Sequence, residues 1–372
     1  MNIIVINETS NLGGAETMAV ELANALVLLP GYHVVFASSP GILSGRLDNR
    51  IRFIAIARYS PAVIFRLFRE FKRIFQGERF DLMHAQGATI GIIAGIAARM
   101  FSPKTKVIIT HHSSDFTRIP PFAANFLFKK LTDMLIAISA EKYNSFMRAG
   151  FSAKKAALIP NFVDRERLYF YANPENVLGI RNALGVLPDE KVVVNVGRLL
   201  PGKRLDVFIR SLTSCAMQSA FKIFGIIVGE GPERERLQSL IDQCSAPNLR
   251  IKLMGFQDNV PAYLKTADLL LFTSEHEVLP MSLIEAISLG VPIICADIPG
   301  NNDIVKNGFN GFLVDPRETD YSVPVLRLLN DAELSGKFSL NGIEKSAAEY
   351  DKNKIVAKIA GLYEALIDHD KR

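Results

Sequence analysis

Two glutamates bracket the segment of this chain with the most distinctive side-chain chemistry. Glu277 and Glu285 enclose Val-Leu-Pro-Met-Ser-Leu-Ile, which follows an apolar run at 269–272 and leads into a helical pattern that ends at Gly290. The first turn of a helix has backbone N–H groups without internal partners, and these groups bind anions. Carboxylates at the same place accept hydrogen bonds from hydroxyls. The segment therefore predicts a site for a ligand that carries both an anionic group and hydroxyls.

Glu285 also has a purely structural interpretation. Ser282-x-x-Glu285 fits a capping box, in which the Glu285 carboxylate would accept a hydrogen bond from the Ser282 amide. Glu277 fits no such pattern, so the local sequence favours a ligand-binding role more strongly for Glu277 than for Glu285.

Two cations follow an apolar run in the second half of the chain. Arg198 lies two residues after Val196, and Lys203 lies five residues further on, in a turn with Pro201 and Gly202. Arg binds phosphate oxygens through its planar fork, whereas Lys supplies a point charge. Both residues are candidates for a phosphate site, and simple exposure in a loop is the alternative.

Gly13 and Gly14 separate a strand-like run at 3–6 from a helical pattern at 18–28. Paired glycines allow backbone to approach a ligand closely, and the start of a helix favours a phosphate. The sequence has neither the Gly-Lys-Ser/Thr of a Walker loop nor a full dinucleotide fingerprint here. An ordinary strand-to-helix turn remains an equally good interpretation.

Histidines end two of the apolar runs. His84 ends one run, and His111 and His112 end another. A histidine at such a position can donate a hydrogen bond to a substrate oxygen or a departing phosphate, although buried strand-end histidines are often structural. Because adjacent strand residues point to opposite faces, we do not expect the pair to share a metal.

Near-continuous Val, Ile and Leu runs alternate with helical patterns along the whole chain, which is typical of parallel sheets covered by helices on both faces. The predicted runs in the first half are 2–6, 33–37, 53–56, 81–84, 106–110, 134–138 and 157–159. Those in the second half are 191–196, 222–228, 250–254, 269–272, 292–295 and 311–314. The sequence predicts an α/β protein with two doubly wound Rossmann-like domains that face a central cleft.

The predicted first domain covers residues 1–165 and the second covers 166–350. Residues 351–372 are expected to form a helix that crosses back to the first domain. With 372 residues the chain is too long for one ordinary core, and 49% hydrophobic and 22% charged residues exclude disorder. Three widely spaced cysteines indicate reduced thiols in a cytoplasmic protein. The glycine-containing apolar run at 88–98 is too short to span a membrane and predicts a buried helix.

The charge is unevenly distributed. Residues 1–170 contain 21 Lys and Arg against 12 Asp and Glu, whereas the remainder contains 22 against 26. Residues 64–75 form a basic amphipathic pattern with Arg66, Arg69, Lys72 and Arg73 on one side, and 122–130 repeats it in shorter form. These patterns predict either ordinary surface helices or contact with an anionic lipid surface.

Taken in order, these pieces resemble the retaining nucleotide-sugar glycosyltransferases of the two-Rossmann-domain (GT-B) type, in glycosyltransferase family 4 or group 1. The resemblance covers nearly the whole chain, and the glutamate pair in this setting is its most specific part. It rests on residues 13–16, 110–112, 159–164, 196–198 with Lys203, 228–232, 253–256, Glu277 with Glu285, 290–292, Gly300 and 307–311.

The resemblance implies catalytic roles for Arg198, Lys203, Glu277 and His112, with His111 as the fallback for His112. Implied donor-binding residues are Gly13, Gly14, Met254, Gly255, Leu279, Met281 and Glu285.

In the implied arrangement, Arg198 and Lys203 hold the donor diphosphate, with help from the Gly14 amide of the other domain. Glu277 holds hydroxyls of the donor sugar, aided by the Leu279 and Met281 amides. Glu285 binds the ribose, and the nucleobase lies near Met254 and Gly255.

The chain departs from the family pattern at a few positions. Val278 stands where Gly is usual, Phe162 stands where Gly is frequent, and Asn302-Asp303 replaces a common Pro-Glu. None of these changes removes a charged group with an implied role, but Val278 could narrow the sugar pocket.

The resemblance implies transfer of a hexose or N-acetylhexosamine from a UDP- or GDP-sugar with retention of configuration, without a metal or another cofactor. The implied acceptor is a glycan or a polyprenyl-diphosphate-linked glycan in surface polysaccharide synthesis (lipopolysaccharide, O-antigen or capsule), and no nucleic acid is involved. We expect a cytoplasmic protein on the inner face of the membrane.

The alternatives are a nucleotide-sugar epimerase of the same shape or a non-catalytic sugar-nucleotide binder. An NAD-dependent oxidoreductase is disfavoured because Gly229-Glu-Gly231 lacks the third glycine of the fingerprint.

Overall fold

The computed structural model describes residues 1–11, 13–112, 121–244 and 246–368, with only the backbone for 121–125. The chain divides into two compact units, one formed by residues 1–161 with 353–372 and the other by 162–352. Each unit is built on one parallel β-sheet with helices between the strands. The predicted α/β class with two Rossmann-like sheets is confirmed.

The first unit contains a seven-stranded sheet in the order β3-β2-β1-β4-β5-β6-β7. Every neighbouring pair is parallel. The strand order reverses between β1 and β4, and the carboxyl ends of strands at such a switch point form the usual ligand site of a doubly wound sheet. The strands are β1 Asn2–Thr9, β2 His33–Ser39, β3 Arg52–Ala55, β4 Leu82–Gln86, β5 Lys106–His111, β6 Met134–Ala137 and β7 Ala156–Leu158.

Helices cover this first sheet and share one apolar core with it. In α2 the apolar face of the amphipathic pattern is buried through Leu67, Phe71 and Phe75. The predicted buried helix at 88–98 lies in α3, where a Cβ on Gly91 would come within 2.7 Å of Ile109 in the sheet. The helices are α1 Gly14–Leu26, α2 Ile64–Gly77, α3 Ala88–Phe101, α4 Pro121–Leu131, α5 Ala140–Arg148 and α15 Lys352–Asp368.

The second unit contains a six-stranded sheet in the order β10-β9-β8-β11-β12-β13. All of its pairs are also parallel, and the order reverses between β8 and β11. The strands are β8 Glu190–Val196, β9 Lys222–Val228, β10 Leu249–Leu253, β11 Leu269–Phe272, β12 Ile293–Ala296 and β13 Gly311–Val314.

Several helices of the second unit begin at side chains that accept a hydrogen bond from an amide of the first turn. Asp164, Asn173, Asn259 and Asp331 cap α6, α7, α10 and α14 in this way. The helices are α6 Arg165–Tyr171, α7 Pro174–Ala183, α8 Leu205–Gln218, α9 Arg234–Gln243, α10 Val260–Thr266, α11 Met281–Ser288, α12 Asn301–Ile304, α13 Ser322–Asn330 and α14 Ala332–Glu349.

Among the described residues, no helix combines the length and the hydrophobicity needed to cross a bilayer. The C-terminal helix α15 packs on the first unit, where Tyr363 is fully buried.

Candidate functional site

The switch point of the second sheet brings a lysine and a glutamate together. Lys203 lies in a short 3₁₀ turn (Pro201–Lys203) after β8, and Glu277 lies in the loop after β11. The Lys203 ammonium forms a salt bridge with the Glu277 carboxylate, and their side chains are only 22% and 13% exposed. The structure therefore places one predicted phosphate-binding cation in direct contact with the predicted sugar-binding carboxylate.

The 3₁₀ turn is fastened to the segment that follows β11. The Thr273 hydroxyl donates to the Lys203 carbonyl at 2.9 Å, and the Glu275 amide donates to the Gly202 carbonyl at 3.1 Å. The two strands themselves are joined beyond their ladder by the buried Asn195, whose side-chain amide donates to the Leu271 carbonyl at 2.7 Å. These bonds fix the separation of the two loops that contribute Lys203 and Glu277.

Arg198 leaves β8 where the backbones of two strands approach each other closely. A Cβ on Gly229 would overlap with the Gly197 carbonyl, and a Cβ on Gly231 would overlap with the Leu199 carbonyl. Only glycine allows this packing, which aligns the loops after β8 and β9. Within the described parts of the chain, no carboxylate forms a salt bridge with Arg198, so its charge is available for an anion.

Glu285 lies in the first turns of α11. The capping-box interpretation is wrong, because α11 begins at Met281 with Pro280 at the N-cap and no side-chain cap. Burial raises the pKa of the Glu285 carboxyl to about 7, an effect that the charge of Arg167 partly offsets. At neutral pH the group is therefore close to its titration midpoint.

Arg167 is a candidate site residue that was not predicted from the sequence. It lies in α6, which begins at Asp164, and the Asp164 carboxylate accepts the Arg167 amide at 3.1 Å and the Lys352 ammonium at 2.6 Å. The basic first turn of this helix was visible in the sequence, but its proximity to Glu285, 118 residues further on, depends on tertiary packing.

The rest of the acidic loop is packed tightly. Leu279 is 5% exposed, and Val278 is half-buried next to Glu277. Gly300 has a φ of 87°, and a Cβ there would overlap with the Val278 carbonyl. Met281 opens α11. The backbone around Glu277 is therefore held by contact with the loop after β12.

Met254 and Gly255 follow β10 on the other side of the sheet. The Met254 amide donates to the Ile227 carbonyl at 2.8 Å, and the Gly255 carbonyl accepts from the Gly229 amide at 2.9 Å. A cavity of about 590 Å³ lies between α7, α10 and this strand end, and of the predicted site residues only Met254 lines it.

In the first unit, Gly13 and Gly14 form the start of α1. Gly13 is the N-cap, and a Cβ there would overlap with the Glu16 carboxylate. The glycine therefore makes room for an acidic side chain that folds over the amino end of the helix. Any anionic ligand at this end would have to displace Glu16.

The two neighbouring histidines occupy different environments. His111 is fully buried, with its ring centroid 6.3 Å from that of Phe128 and 5.9 Å from that of Phe146. His112 is half-buried, and its Nε2 lies 2.8 Å from Oε1 of Gln86. This contrast follows from the alternation of side chains at the end of β5.

His112 belongs to a buried polar chain. Gln86 Nε2 lies 3.1 Å from His84 Nε2, which also lies 2.7 Å from the Thr110 hydroxyl, and His84 Nδ1 lies 2.5 Å from the Tyr363 hydroxyl. Because the Gln86 amide donates to His84, its carbonyl oxygen accepts Nε2–H of His112. Nδ1 of His112 is then an acceptor.

Burial lowers the pKa of His84 to about 3 and that of His112 to about 4, and the charge of His112 contributes to the lower value of His84. Both rings are therefore neutral at physiological pH, and the hydrogen-bonded side chains from Tyr363 to His112 carry no net charge.

Comparison with known proteins follows the same division of the chain. Residues 12–167 match the family model described as Glycosyltransferase Family 4, and residues 179–345 match Glycosyl transferases group 1. The chain is 25% identical over 376 residues to N-acetyl-alpha-D-glucosaminyl L-malate synthase of Bacillus anthracis, covering 97% of this chain and 96% of the relative. It is 27% identical over 301 residues to the UDP-Gal:alpha-D-GlcNAc-diphosphoundecaprenol alpha-1,3-galactosyltransferase of Escherichia coli, covering 78% and 77%.

Among solved structures, Anabaena HepE in complex with UDP-glucose superimposes with a TM-score of 0.84 at 22% identity, covering 98% of this chain and 100% of that chain. This likeness establishes the fold. The two family matches follow one another across most of the sequence, and the E. coli relative is named a galactosyltransferase. The chain therefore belongs to the group 1, family 4 glycosyltransferases and has their GT-B fold.

Proposed function

We propose that this enzyme transfers a hexose or an N-acetylhexosamine from a nucleotide-diphosphate sugar, with retention of configuration, to a glycan or a polyprenyl-diphosphate-linked glycan. The observation that carries the proposal is the contact between Lys203 and Glu277 at the β8–β11 switch point. A lysine and a carboxylate at this place match the two halves of the donor, a diphosphate and a sugar with hydroxyls.

The proposed chemistry uses the charge of the donor itself. The bond between the anomeric carbon and the distal phosphate oxygen breaks, and its electron pair leaves with the diphosphate. The acceptor oxygen forms the new bond on the same face of the sugar, and its proton goes to the departing phosphate. Arg198 and Lys203 stabilise the growing negative charge, which is an electrostatic contribution to catalysis. No protein nucleophile is needed for this route.

Donor binding redistributes the contacts of Lys203. In the unliganded protein its ammonium is paired with Glu277. A diphosphate carries more charge than one carboxylate, so it competes for the ammonium. Glu277 then turns its acceptor oxygens to the sugar hydroxyls, while the Leu279 and Met281 amides contribute further contacts. The salt bridge keeps both side chains paired and largely sheltered from solvent until the donor arrives.

Glu285 is proposed to hold the ribose hydroxyls, with the nucleobase near Met254 and Gly255. Hydroxyl donors favour the ionised carboxylate, and so does the nearby Arg167. With a pKa of about 7 in the free protein, Glu285 would release a proton when the donor binds. Nucleotide affinity is therefore expected to fall as the pH drops below about 7.

Gly13, Gly14 and His112 of the first unit are proposed to contact the donor as well, with His111 as the fallback. Nε2–H of His112 is engaged by Gln86, which leaves Nδ1 as an acceptor for a ligand hydroxyl. His111 lies among aromatic rings, which favours His112 for this role.

We also propose that the enzyme works on surface polysaccharide (lipopolysaccharide, O-antigen or capsule) at the cytoplasmic face of the membrane. The support is α2, which exposes Arg66, Arg69, Lys72 and Arg73 together with Phe65, whose side chain is 82% exposed. Cations beside an exposed aromatic ring suit an anionic lipid surface. The diphosphoundecaprenol acceptor in the name of the E. coli relative agrees with a lipid-linked substrate.

The test begins with a thermal-shift screen of UDP- and GDP-sugars, which identifies the nucleotide. The stabilising donor is then incubated with a polyprenyl-diphosphate-linked glycan, and the anomeric configuration of the product is read by NMR. We expect acceptor-dependent release of the nucleotide diphosphate and an α-linked product from an α-linked donor. Isomerised sugar without acceptor dependence would indicate the epimerase, and binding without turnover would indicate a non-catalytic binder.

A further inference from the structure

Arg204 has an unusual backbone conformation directly after Lys203. It has φ 47° and ψ 46° and is the one non-glycine residue with a positive φ among the described residues. This left-handed region is disfavoured for any residue with a Cβ. A conformation of this kind persists only where surrounding contacts hold it, and it often marks a functional constraint.

Both the side chain and the backbone of Arg204 supply these contacts. Its guanidinium donates from Nη1 to the Pro316 carbonyl and from Nη2 to the Glu318 carbonyl, the latter at 2.9 Å. Its amide donates to the Pro201 carbonyl at 2.9 Å, and its carbonyl accepts the Val207 amide at 3.0 Å. Arg204 thus closes the 3₁₀ turn, begins α8 and ties both to the segment that follows β13.

The turn that presents Lys203 is therefore fixed from two sides. Thr273 and Glu275 hold it from the β11 loop, and Arg204 holds it from residues 316–318. A lysine has a long side chain with many rotamers. A fixed backbone at its base reduces the conformational entropy that is lost when a ligand binds.

We infer that Arg204 is a positioning residue that holds Lys203 in place for the diphosphate of the donor and does not itself contact the donor. Two of its donor groups are already bonded to backbone carbonyls. Its left-handed backbone and its guanidinium therefore both serve to hold the turn that carries Lys203. The inference rests on the proposed function, which assigns Lys203 to the diphosphate.

The experiment compares the affinities of a nucleoside diphosphate and its nucleoside for Arg204→Gly, Arg204→Ala, Lys203→Ala and the double variant Lys203→Ala/Arg204→Gly. The probes are UDP and uridine, or GDP and guanosine if the screen selects guanine. Arg317→Ala is the matched control, because Arg317 sits in the same loop but pairs with Asp315 instead of tying the turn. Arg204→Gly relieves the left-handed strain and so keeps the fold if Arg204→Ala does not.

We expect Arg204→Gly to weaken binding of the nucleoside diphosphate about tenfold, while the affinity for the nucleoside changes less than about twofold. A tenfold loss is expected when the contact between Lys203 and the diphosphate is weakened. Arg317→Ala should bind both like wild type. The double variant should be no weaker than Lys203→Ala, because coupled residues are not additive.

Wild-type diphosphate affinity in Arg204→Gly would overturn the inference alone, provided that Lys203→Ala is weakened. Losses that multiply in the double variant would also overturn it, since they would mean an independent contact. Wild-type affinity in Lys203→Ala would instead refute the phosphate role of Lys203 in the proposed function, and the inference with it.

Discussion

The two sheets have the same order around their switch points but opposite chemistry at the carboxyl ends of the central strands. Next to β8 and β11 the side chains are ionisable and paired: Lys203 forms a salt bridge with Glu277, and Arg167 lies near Glu285. At the ends of β4 and β5, next to the switch point of the first sheet, the side chains are neutral, because burial keeps His84 and His112 unprotonated. Topology places residues at this edge in both units, but only the residue types decide which ligand can bind there.

The difference also sets opposite responses to pH. Burial favours the neutral form of both kinds of group, so it raises the pKa of a carboxyl and lowers the pKa of an imidazole. The raised pKa of the carboxyl lowers the free energy of unfolding as the pH rises. The lowered pKa of the imidazole lowers it as the pH falls.

The largest effect is expected at Glu277. Glu277→Ala should lower kcat/KM by about a thousandfold, because sugar contacts that strengthen in the transition state are lost. Glu277→Gln keeps the shape and should recover only part of the loss. The transfer assay checks both variants, and circular dichroism should show an intact fold, since Glu277 lies in a loop. Full activity in Glu277→Ala would refute the site assignment.

The next effect is at Lys203. Removing a charge-assisted hydrogen bond worth about 1.5–3 kcal/mol should weaken the nucleotide diphosphate about 10- to 100-fold in Lys203→Ala. The matched control is Lys222→Ala, which removes an exposed salt bridge of 3.3 Å to Asp189. Such a surface pair contributes about 0–1 kcal/mol, so the control should bind normally. Equal losses in both variants, measured by calorimetry, would contradict a specific role for Lys203.

Glu285 predicts a pH dependence of stability. Its folded pKa of about 7 lies above the ordinary value of 4.5, so the folded protein holds a proton that the unfolded chain has lost. The free energy of unfolding should therefore fall by about 1–3 kcal/mol as the pH rises from about 4.5 through 7, and level off about one pH unit above 7.

Glu285→Gln should remove this slope and raise Tm at pH 8, while weakening the nucleotide at the same pH. Chemical denaturation at several pH values measures the slope. An unchanged slope in Glu285→Gln would mean that the carboxyl does not titrate in this range.

The smallest effects are expected in the buried polar chain of the first unit, which links Tyr363, His84, Gln86 and His112 by hydrogen bonds. Tyr363→Phe removes one hydrogen bond to His84 and should destabilise the protein by about 1 kcal/mol without changing nucleotide affinity. Gln86→Leu frees His112 and should lower kcat more than it raises the KM for the donor. Steady-state kinetics separates the two constants, and a loss confined to donor KM in Gln86→Leu would show that the buried polar chain only supports binding.

Much of the fold could be predicted from sequence. Every run that was predicted to be a strand forms one, because buried parallel strands require near-continuous Val, Ile and Leu. The run at 269–272, for example, forms β11 with the predicted bounds. Helix starts were harder, as the capping box at Ser282 shows: α11 has its N-cap at Pro280, two residues before the predicted cap.

The site could be predicted only in part. Lys203 and Glu277 could be named because each follows a strand that ends at the same edge. Their direct salt bridge, the position of Arg167 near Glu285 and the bond between Gln86 and His112 could not be predicted. These contacts join residues far apart in sequence, and no local pattern encodes them. The strained backbone of Arg204 was equally invisible, since arginine is not typical of left-handed positions.

We propose that the carboxyl edge of the second sheet, with Lys203 and Glu277, binds the nucleotide-diphosphate part of the donor. Amide hydrogen exchange of the wild-type protein with and without UDP or GDP tests it most directly. We predict strong protection at 197–204 and 277–285 and weaker protection at 253–256, with little change in the core of the first sheet. Protection confined to residues 1–161, with none in these segments of the second unit, would contradict the claim.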